Sequence, residues 1–223
     1  MGKLSKNKIM DLLSVRKKRI LKLSLIFSIA VAVLVAGLFI YLNYVNRLTY
    51  EKYLLAQDLY LQAEQEQNEE KVESLGKAAT LFEKVIAQKL WFGNREEIFF
   101  YLADCLYRLG NYEKSIKTLE EFQKKYPRSY FSPWARLKMA LIYEEMEKYK
   151  QAIKIYEIIK EKYAQNPVAP EALLGEARCR ELTGDKEGAI KMYRNLISRY
   201  PLSYQAKIAE VKLQYFSQKA PAS

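Results

Sequence analysis

"GNYEKSIKTLEEFQKKYPRS" occupies Gly110 to Ser129, and "GDKEGAIKMYRNLISRYPLS" occupies Gly184 to Ser203. Both open on glycine, carry a small residue at Ser115 or Ala189, and close on Tyr-Pro-x-Ser. A third copy, "KYKQAIKIYEIIKEKYAQ" from Lys148 to Gln165, keeps the apolar positions but has Glu147 in place of the glycine and Ala164 in place of the proline. The register extends along the chain: Ala78, Ser115, Ala152 and Ala189 are 37 residues apart, as are Phe82, Leu119, Tyr156 and Tyr193, and Tyr126, Tyr163 and Tyr200. A fixed period of this length marks a solenoid in which each unit stacks on the next. Within a unit, Leu102, Ala103 and Leu106 in one run and Ile116, Leu119 and Phe122 in the next fall at helical spacing, so each unit reads as a helical hairpin.

The repeated positions have physical reasons. Alanine or serine at 78, 115, 152 and 189 lets two helices approach closely. Gly110 and Gly184 suit the left-handed turn that ends a first helix. Pro127 and Pro201 stop the second helix, and Ser132 before Pro133 reads as an N-cap followed by a first helical residue. The first copy has its second helix at Ala78 to Gln88, but its first helix, Tyr50 to Ala63, lies about ten residues too far upstream for the period. The intervening acidic segment, Glu64 to Ser74, is expected to be loop or frayed helix. "LSYQAKIAEVKLQYFSQ", after Pro201, reads as a capping helix.

Counted from Glu96, the pattern Phe99, Leu102, Ala103, Leu106, Gly110, Ser115, Leu119, Phe122, Pro127 resembles the tetratricopeptide repeat, lengthened from its usual 34 residues in the inter-repeat turn. The longer form with a Tyr-Pro-x-Ser ending is similar to repeats of periplasmic proteins such as the outer-membrane assembly lipoproteins and the Tol-Pal coordinator. The resemblance covers Tyr50 to Phe216. It implies an all-α fold, a right-handed solenoid of four helical pairs plus a capping helix, and a concave face lined by the first helix of each pair. Carried onto this chain, that face contains Glu97, Phe100, Asp104 and Tyr107, then Trp134, Leu137, Leu141 and Glu144, then Glu171, Leu174, Arg178 and Glu181. Residues spaced three and four apart share one helical stripe, and this mixture of side chains suits an extended peptide or partner helix.

A second organising feature precedes the repeats. Leu23 to Asn46 contains no charged residue, long enough as a helix to cross a bilayer. Ala30-Val31-Ala32 has the small-x-small form of a signal cleavage site, but it lies within the apolar run, so an uncleaved transmembrane anchor is expected. No cysteine follows the run, so a lipid-anchoring motif is missing. Eight basic residues and one acid in residues 1–22 account for +7 of the net charge of +11. The positive-inside bias therefore puts the amino terminus in the cytoplasm and the repeats outside it, so a single-pass inner-membrane protein with a periplasmic repeat domain is expected. The expected organisation is a basic tail (1–22), anchor (23–46), solenoid (47–219) and flexible tail (220–223).

Residual charge beyond the tail is mild, so nucleic acid is not an expected partner. The chain has no histidine, which removes imidazole acid–base chemistry and the commonest metal ligand. Adjacent carboxylates such as Glu69 and Glu70, Glu96 and Glu97, or Glu144 and Glu145 read as solvated helix faces. Cys105 and Cys179 occupy the same place two repeats apart, too distant for a disulfide, and are expected to be buried packing residues. No enzyme, cofactor or metal is therefore expected. The expected role is a membrane-anchored extracytoplasmic adaptor that binds proteins or peptides in envelope biogenesis, secretion or translocon-associated chaperoning. The alternative is an accessory protein that recognises peptidoglycan or another glycan.

Overall fold

The structure is a computed structural model that describes residues 6–88, 93 and 95–218; the expected tail at 220–223 lies outside the described residues. Its elements are α1 (Lys6–Gln62), α2 (Asn68–Ala87), α3 (Glu96–Arg108), α4 (Tyr112–Lys125), α5 (Ser132–Glu145), α6 (Tyr149–Lys162), α7 (Ala169–Leu182), α8 (Lys186–Arg199) and α9 (Tyr204–Gln218), with no strand among the described residues. The chain divides into two compact units, one containing α1 up to Glu51 and the other beginning at Lys52.

In the first unit, residues 23–46 of α1 are apolar on every side, with Leu23, Ile26, Phe27, Val33, Leu34 and Ile40 all exposed. Its two serines consume their own hydroxyls: Ser24 donates to the Leu21 carbonyl and Ser28 to the Ser24 carbonyl, each at 2.9 Å. The helix is long and apolar enough to cross a membrane, with a mean hydropathy of 2.8 in its most apolar window.

The second unit stacks helical hairpins, the end of α1 with α2, α3 with α4, α5 with α6 and α7 with α8, and α9 packs on α8 and α7. The small residues meet the expectation: Ala78, Ser115, Ala152 and Ala189 have no exposed surface. Ser115 is tolerated there because its hydroxyl donates to the Ala103 carbonyl of the preceding helix at 2.6 Å. One turn later Phe82, Leu119, Tyr156 and Tyr193 are also fully buried. Both tyrosines keep their hydroxyls satisfied on first-helix carboxylates, Tyr156 on Glu144 and Tyr193 on Glu181. Cys105 and Cys179 are buried and free.

Three first helices end in one motif. At α3 the Asn111 amide donates to the Leu106 carbonyl at 2.8 Å and Gly110 to Tyr107 at 2.9 Å; Lys148 with Glu147 and Asp185 with Gly184 repeat the pattern. This crossed pair of bonds needs a left-handed residue, which Gly110 (φ +74°) and Gly184 (φ +83°) supply without a Cβ penalty. Glu147 adopts the same conformation at φ +57°, so the hairpin register overrides the residue's own preference.

Three local expectations are corrected. Helix α2 begins at Asn68, so most of the acidic segment is helix, and α2 has 20 residues where α4, α6 and α8 have 14. Asn68 enters the helix in a left-handed conformation at φ +55°, and Glu69 to Ser74 form regular turns because Ser74 and Leu75 are buried, giving the extension an apolar face to fold on. Ser132 is the first residue of α5 and Phe131 its cap, which moves Pro133 to the second helical position. The Ser132 hydroxyl instead donates to the Tyr126 carbonyl at 3.2 Å.

Two features were not visible in the repeat pattern. Gly175, in the middle of α7, is where the Tyr156 ring crosses: a Cβ there would lie 2.4 Å from the ring. Glu176 is fully buried and lies 2.7 Å from Lys160 of α6 and 2.8 Å from Arg180 one turn along its own helix, so its charge is matched by one neighbouring helix and by α7 itself. Opposite effects on stability are expected at Gly175, where a ring approaches the backbone closely, and at Glu147, which is held in a left-handed conformation. Gly175→Ala should lower the melting temperature, at a cost of about 1–3 kcal/mol, because the buried Tyr156 ring cannot yield. Glu147→Gly should raise it, by about 1 kcal/mol, by removing the Cβ from a left-handed residue. Thermal unfolding of the two variants checks both signs.

Candidate partner-binding face of the first helices

The expected stripe lies on α3, α5 and α7, and each of its charged members is engaged by a neighbouring side chain. Asp104 lies 2.6 Å from Lys138 of α5 and 2.6 Å from Arg108, and accepts the Tyr60 hydroxyl of α1 at 3.0 Å. Glu144 of α5 takes a two-pronged pair from Arg178 of α7, at 2.7 and 2.8 Å. Glu171 accepts from Gln205 of α9 at 3.0 Å, and Glu181 from Lys212 of α9 at 3.1 Å. Glu97 accepts from Tyr101 at 3.0 Å and from Tyr53 of α1 at 3.4 Å. The face is thus a ladder of polar contacts between successive first helices.

The ladder has its own register. Asp104 to Lys138, Glu144 to Arg178 and Glu171 to Gln205 each join residues 34 apart. Tyr53 to Glu97, Tyr60 to Asp104 and Glu64 to Arg108 join residues 44 apart. The difference of ten equals the displacement of the first helix inferred from the repeats. The longer α2 and its preceding turn absorb it and leave the inner face in register.

Electrostatics follow the pairing. Burial pushes the Asp104 carboxyl up, but hydrogen bonding and charge from Lys138, with help from Arg108 and the Tyr60 hydroxyl, hold it below its usual value. The Tyr60 hydroxyl is held well above its usual value by burial and by Asp104. Hydrogen bonding to Glu144 keeps Arg178 charged against its burial.

The twelve expected residues therefore separate into groups. Leu174 is buried in the α7–α8–α9 core. Tyr107 packs against Tyr112 at 5.6 Å, with the Lys138 ammonium 4.4 Å above its ring. Glu97, Glu144, Glu171, Arg178 and Glu181 belong to the ladder. Phe100, Trp134, Leu137 and Leu141, together with Asp104, which is also a rung of the ladder, line one pocket of about 340 Å³ between the end of α1, α3 and α5. Leu119, Tyr60, Tyr101 and Lys138 complete it. Phe100 is braced by Phe122 and Phe131, with ring centroids at 5.1 and 5.5 Å, while Trp134 and Leu141 are 39% and 36% exposed. Repeat alignment missed Tyr60 because the ten-residue displacement moves it out of phase. It missed Tyr101 and Lys138 because they lie one residue beyond the stripe. The pocket is thus an apolar cup whose one carboxylate is already matched by cations, suited to holding an aromatic or aliphatic side chain.

Comparison with known proteins agrees with this architecture. A family model for subunit 3 of the anaphase-promoting complex, or cyclosome, matches residues 73–159, and a tetratricopeptide repeat model matches 171–203. Tetratricopeptide-like repeats of a putative kinesin light chain from Podospora anserina superpose with a TM-score of 0.55 at 16% identity, over 78% of this chain and 89% of that one. A tetratricopeptide repeat protein from Parabacteroides merdae gives 0.53 at 12% identity, over 72% and 58%. A double mutant of MamA RS-1, a protein of Desulfovibrio magneticus, gives 0.51 at 14% identity, over 72% and 84%. No curated protein sequence matches the chain. At these identities the likeness is one of fold, and the fold is a tetratricopeptide-like solenoid.

The Asp104 cluster makes a pH-dependent contribution. Its carboxyl titrates lower in the folded chain than in the unfolded one, so its stabilisation is present above about pH 4 and is lost as pH falls through the folded value. Asp104→Asn should therefore lower stability near neutrality by about 1.5–3 kcal/mol, the range for hydrogen bonds to charged groups. The difference between variant and parent should close on acidification. Melting curves from pH 7 to pH 3 provide the check.

Proposed function

We propose that the chain is a non-enzymatic adaptor, held by residues 23–46 of α1 in the cytoplasmic membrane, with its repeats outside the cytoplasm, where they bind a protein or peptide of the cell envelope. Tetratricopeptide proteins are protein-interaction scaffolds, which supports the binding role. The observation that carries the reading is the pocket at Phe100, Trp134, Leu137 and Leu141. It is the part of the inner stripe that combines open apolar surface with rigid surroundings, because the charged residues beside it are held by other residues of the same face.

Membrane attachment rests on α1, whose apolar surface is uncovered and whose hydroxyls bond within the helix. Orientation rests on charge: the basic residues cluster before the apolar segment, and Arg47 just after it lies 3.1 Å from Glu51. The Tyr-Pro-x-Ser form of the repeats supports an envelope role through its similarity to periplasmic repeat proteins, and the pathway it serves is secretion, envelope biogenesis or translocon-associated chaperoning.

Two measurements test this function. A reporter active only outside the cytoplasm, fused after Ser223, should be active, and a cytoplasm-only reporter silent; the reverse result removes the adaptor from the envelope. Trp134→Ala with Leu141→Ala should abolish capture of the partner from solubilised membranes while shifting melting little, since both side chains are more than a third exposed. Arg178→Ala, which breaks the ladder, should instead lower stability. Capture that survives the Trp134 and Leu141 changes rules out the pocket as the binding site.

A further inference from the structure

Three features lie outside the pocket and the anchor: the acidic segment, the outer side of the first hairpin, and the uncovered surface of α9. Inside the stack each second helix is followed by another first helix, so apolar faces meet. Both ends depart from this. At the first hairpin, Leu55 and Leu59 of α1 and Leu81 of α2 line an open groove of about 530 Å³ with Glu73, Lys77 and Lys84 on its rim. Gly76 lies in this groove with open space where a Cβ would be, so another helix can approach its backbone closely.

At the other end, α9 places Tyr204, Val211 and Tyr215 at spacings of seven and four, which is one exposed helical stripe, with Ile208 between them packed against the core of α7, α8 and α9. Tyr204 is 73% exposed, Val211 65% and Tyr215 46%. A helix that merely seals a solenoid has a polar outer face. This one presents exposed apolar anchors at i, i+7 and i+11, two turns and then one turn apart on the face of a helix that docks in a groove.

Charge selects the occupant. The segment Glu64–Ser74 carries five glutamates and one lysine, whereas residues 186–218 carry six basic and two acidic residues. Glu69 and Glu70 at one end, and Lys191, Arg194 and Lys207 at the other, are exposed and form no ion pair among the described residues. Like ends repel and unlike ends attract.

We propose that the apolar stripe of α9 seats in the α1–α2 groove of a second copy of this chain, with the basic surface of α8 and α9 against the neighbour's acidic segment. The contact joins two different surfaces, so repetition gives a row of copies, or a ring where the rotation closes. It is independent of the Trp134 pocket, which stays open in each copy.

The test uses two differently tagged full-length chains in one membrane, Leu55→Cys in one and Val211→Cys in the other; the native cysteines are buried. Oxidation should give the mixed disulfide dimer several-fold above either like pair and above a control pair on the second helices, Lys117→Cys with Lys154→Cys. Glu69→Lys with Glu70→Lys in the first chain should reduce the mixed dimer several-fold. Lys191→Glu, Arg194→Glu and Lys207→Glu in the second should restore it, a rescue that a misfolded chain cannot give. Cross-links at control level, cross-links only between like positions, or a yield indifferent to charge reversal would each overturn the proposal. The last would mean that the groove and α9 serve another partner or the lipid surface.

Discussion

Everything in the repeat region depends on how closely the two helices of a pair can cross. A residue with no more bulk than serine sits at each crossing, and a large ring or leucine follows one turn later to fill the space beside it. The pairing is strict because each side limits the other: the small residue admits the partner helix, and the large one then has a single volume to occupy. At the α6–α7 junction this reaches its extreme, where the Tyr156 ring takes the space of a Cβ and α7 must carry glycine. That glycine weakens the helix by its own preference, and the packing it permits offsets the loss.

Polar contacts work differently from the apolar ones. The apolar positions repeat at 37 residues and hold each pair together, whereas the polar ladder advances by 34 and ties each first helix to the next. The two registers differ because the ladder crosses between first helices, meeting the neighbour about one turn earlier along its axis. Glu144 belongs to both systems, since it takes the Arg178 pair and also the Tyr156 hydroxyl. A solenoid built in this way resists opening within and between repeats through separate sets of side chains.

This division explains what could be read from the chain alone. Positions constrained by volume recur with their residue type preserved, so the hairpins, their number and the capping helix were legible. Polar partners carry no such constraint: Asp104, Leu141 and Arg178 share one repeat position and have nothing in common chemically. Their pairing, and with it the collapse of a broad candidate groove into one pocket, depends on which side chains a neighbouring helix supplies. Glu147 shows the same limit in the backbone, because a residue that disfavours a left-handed turn is held in one by hydrogen bonds on either side. The acidic segment misled for a related reason, its charged surface concealing Ser74 and Leu75, which anchor the extra helical turns.

The buried cysteines have a chemical consequence. Burial, with Asp104 nearby, pushes the Cys105 thiol up to about 12, and burial together with Glu144 does the same for Cys179. At neutral pH only about one thiol in 10⁵ is then ionised, and the thiolate is the species that attacks disulfides and oxidants. An electron-poor compartment with abundant exchangeable disulfides would convert exposed thiols into mixed adducts. These two are shielded both sterically and by their protons, so the folded chain can keep free cysteines in an oxidising space without a reductase to maintain them.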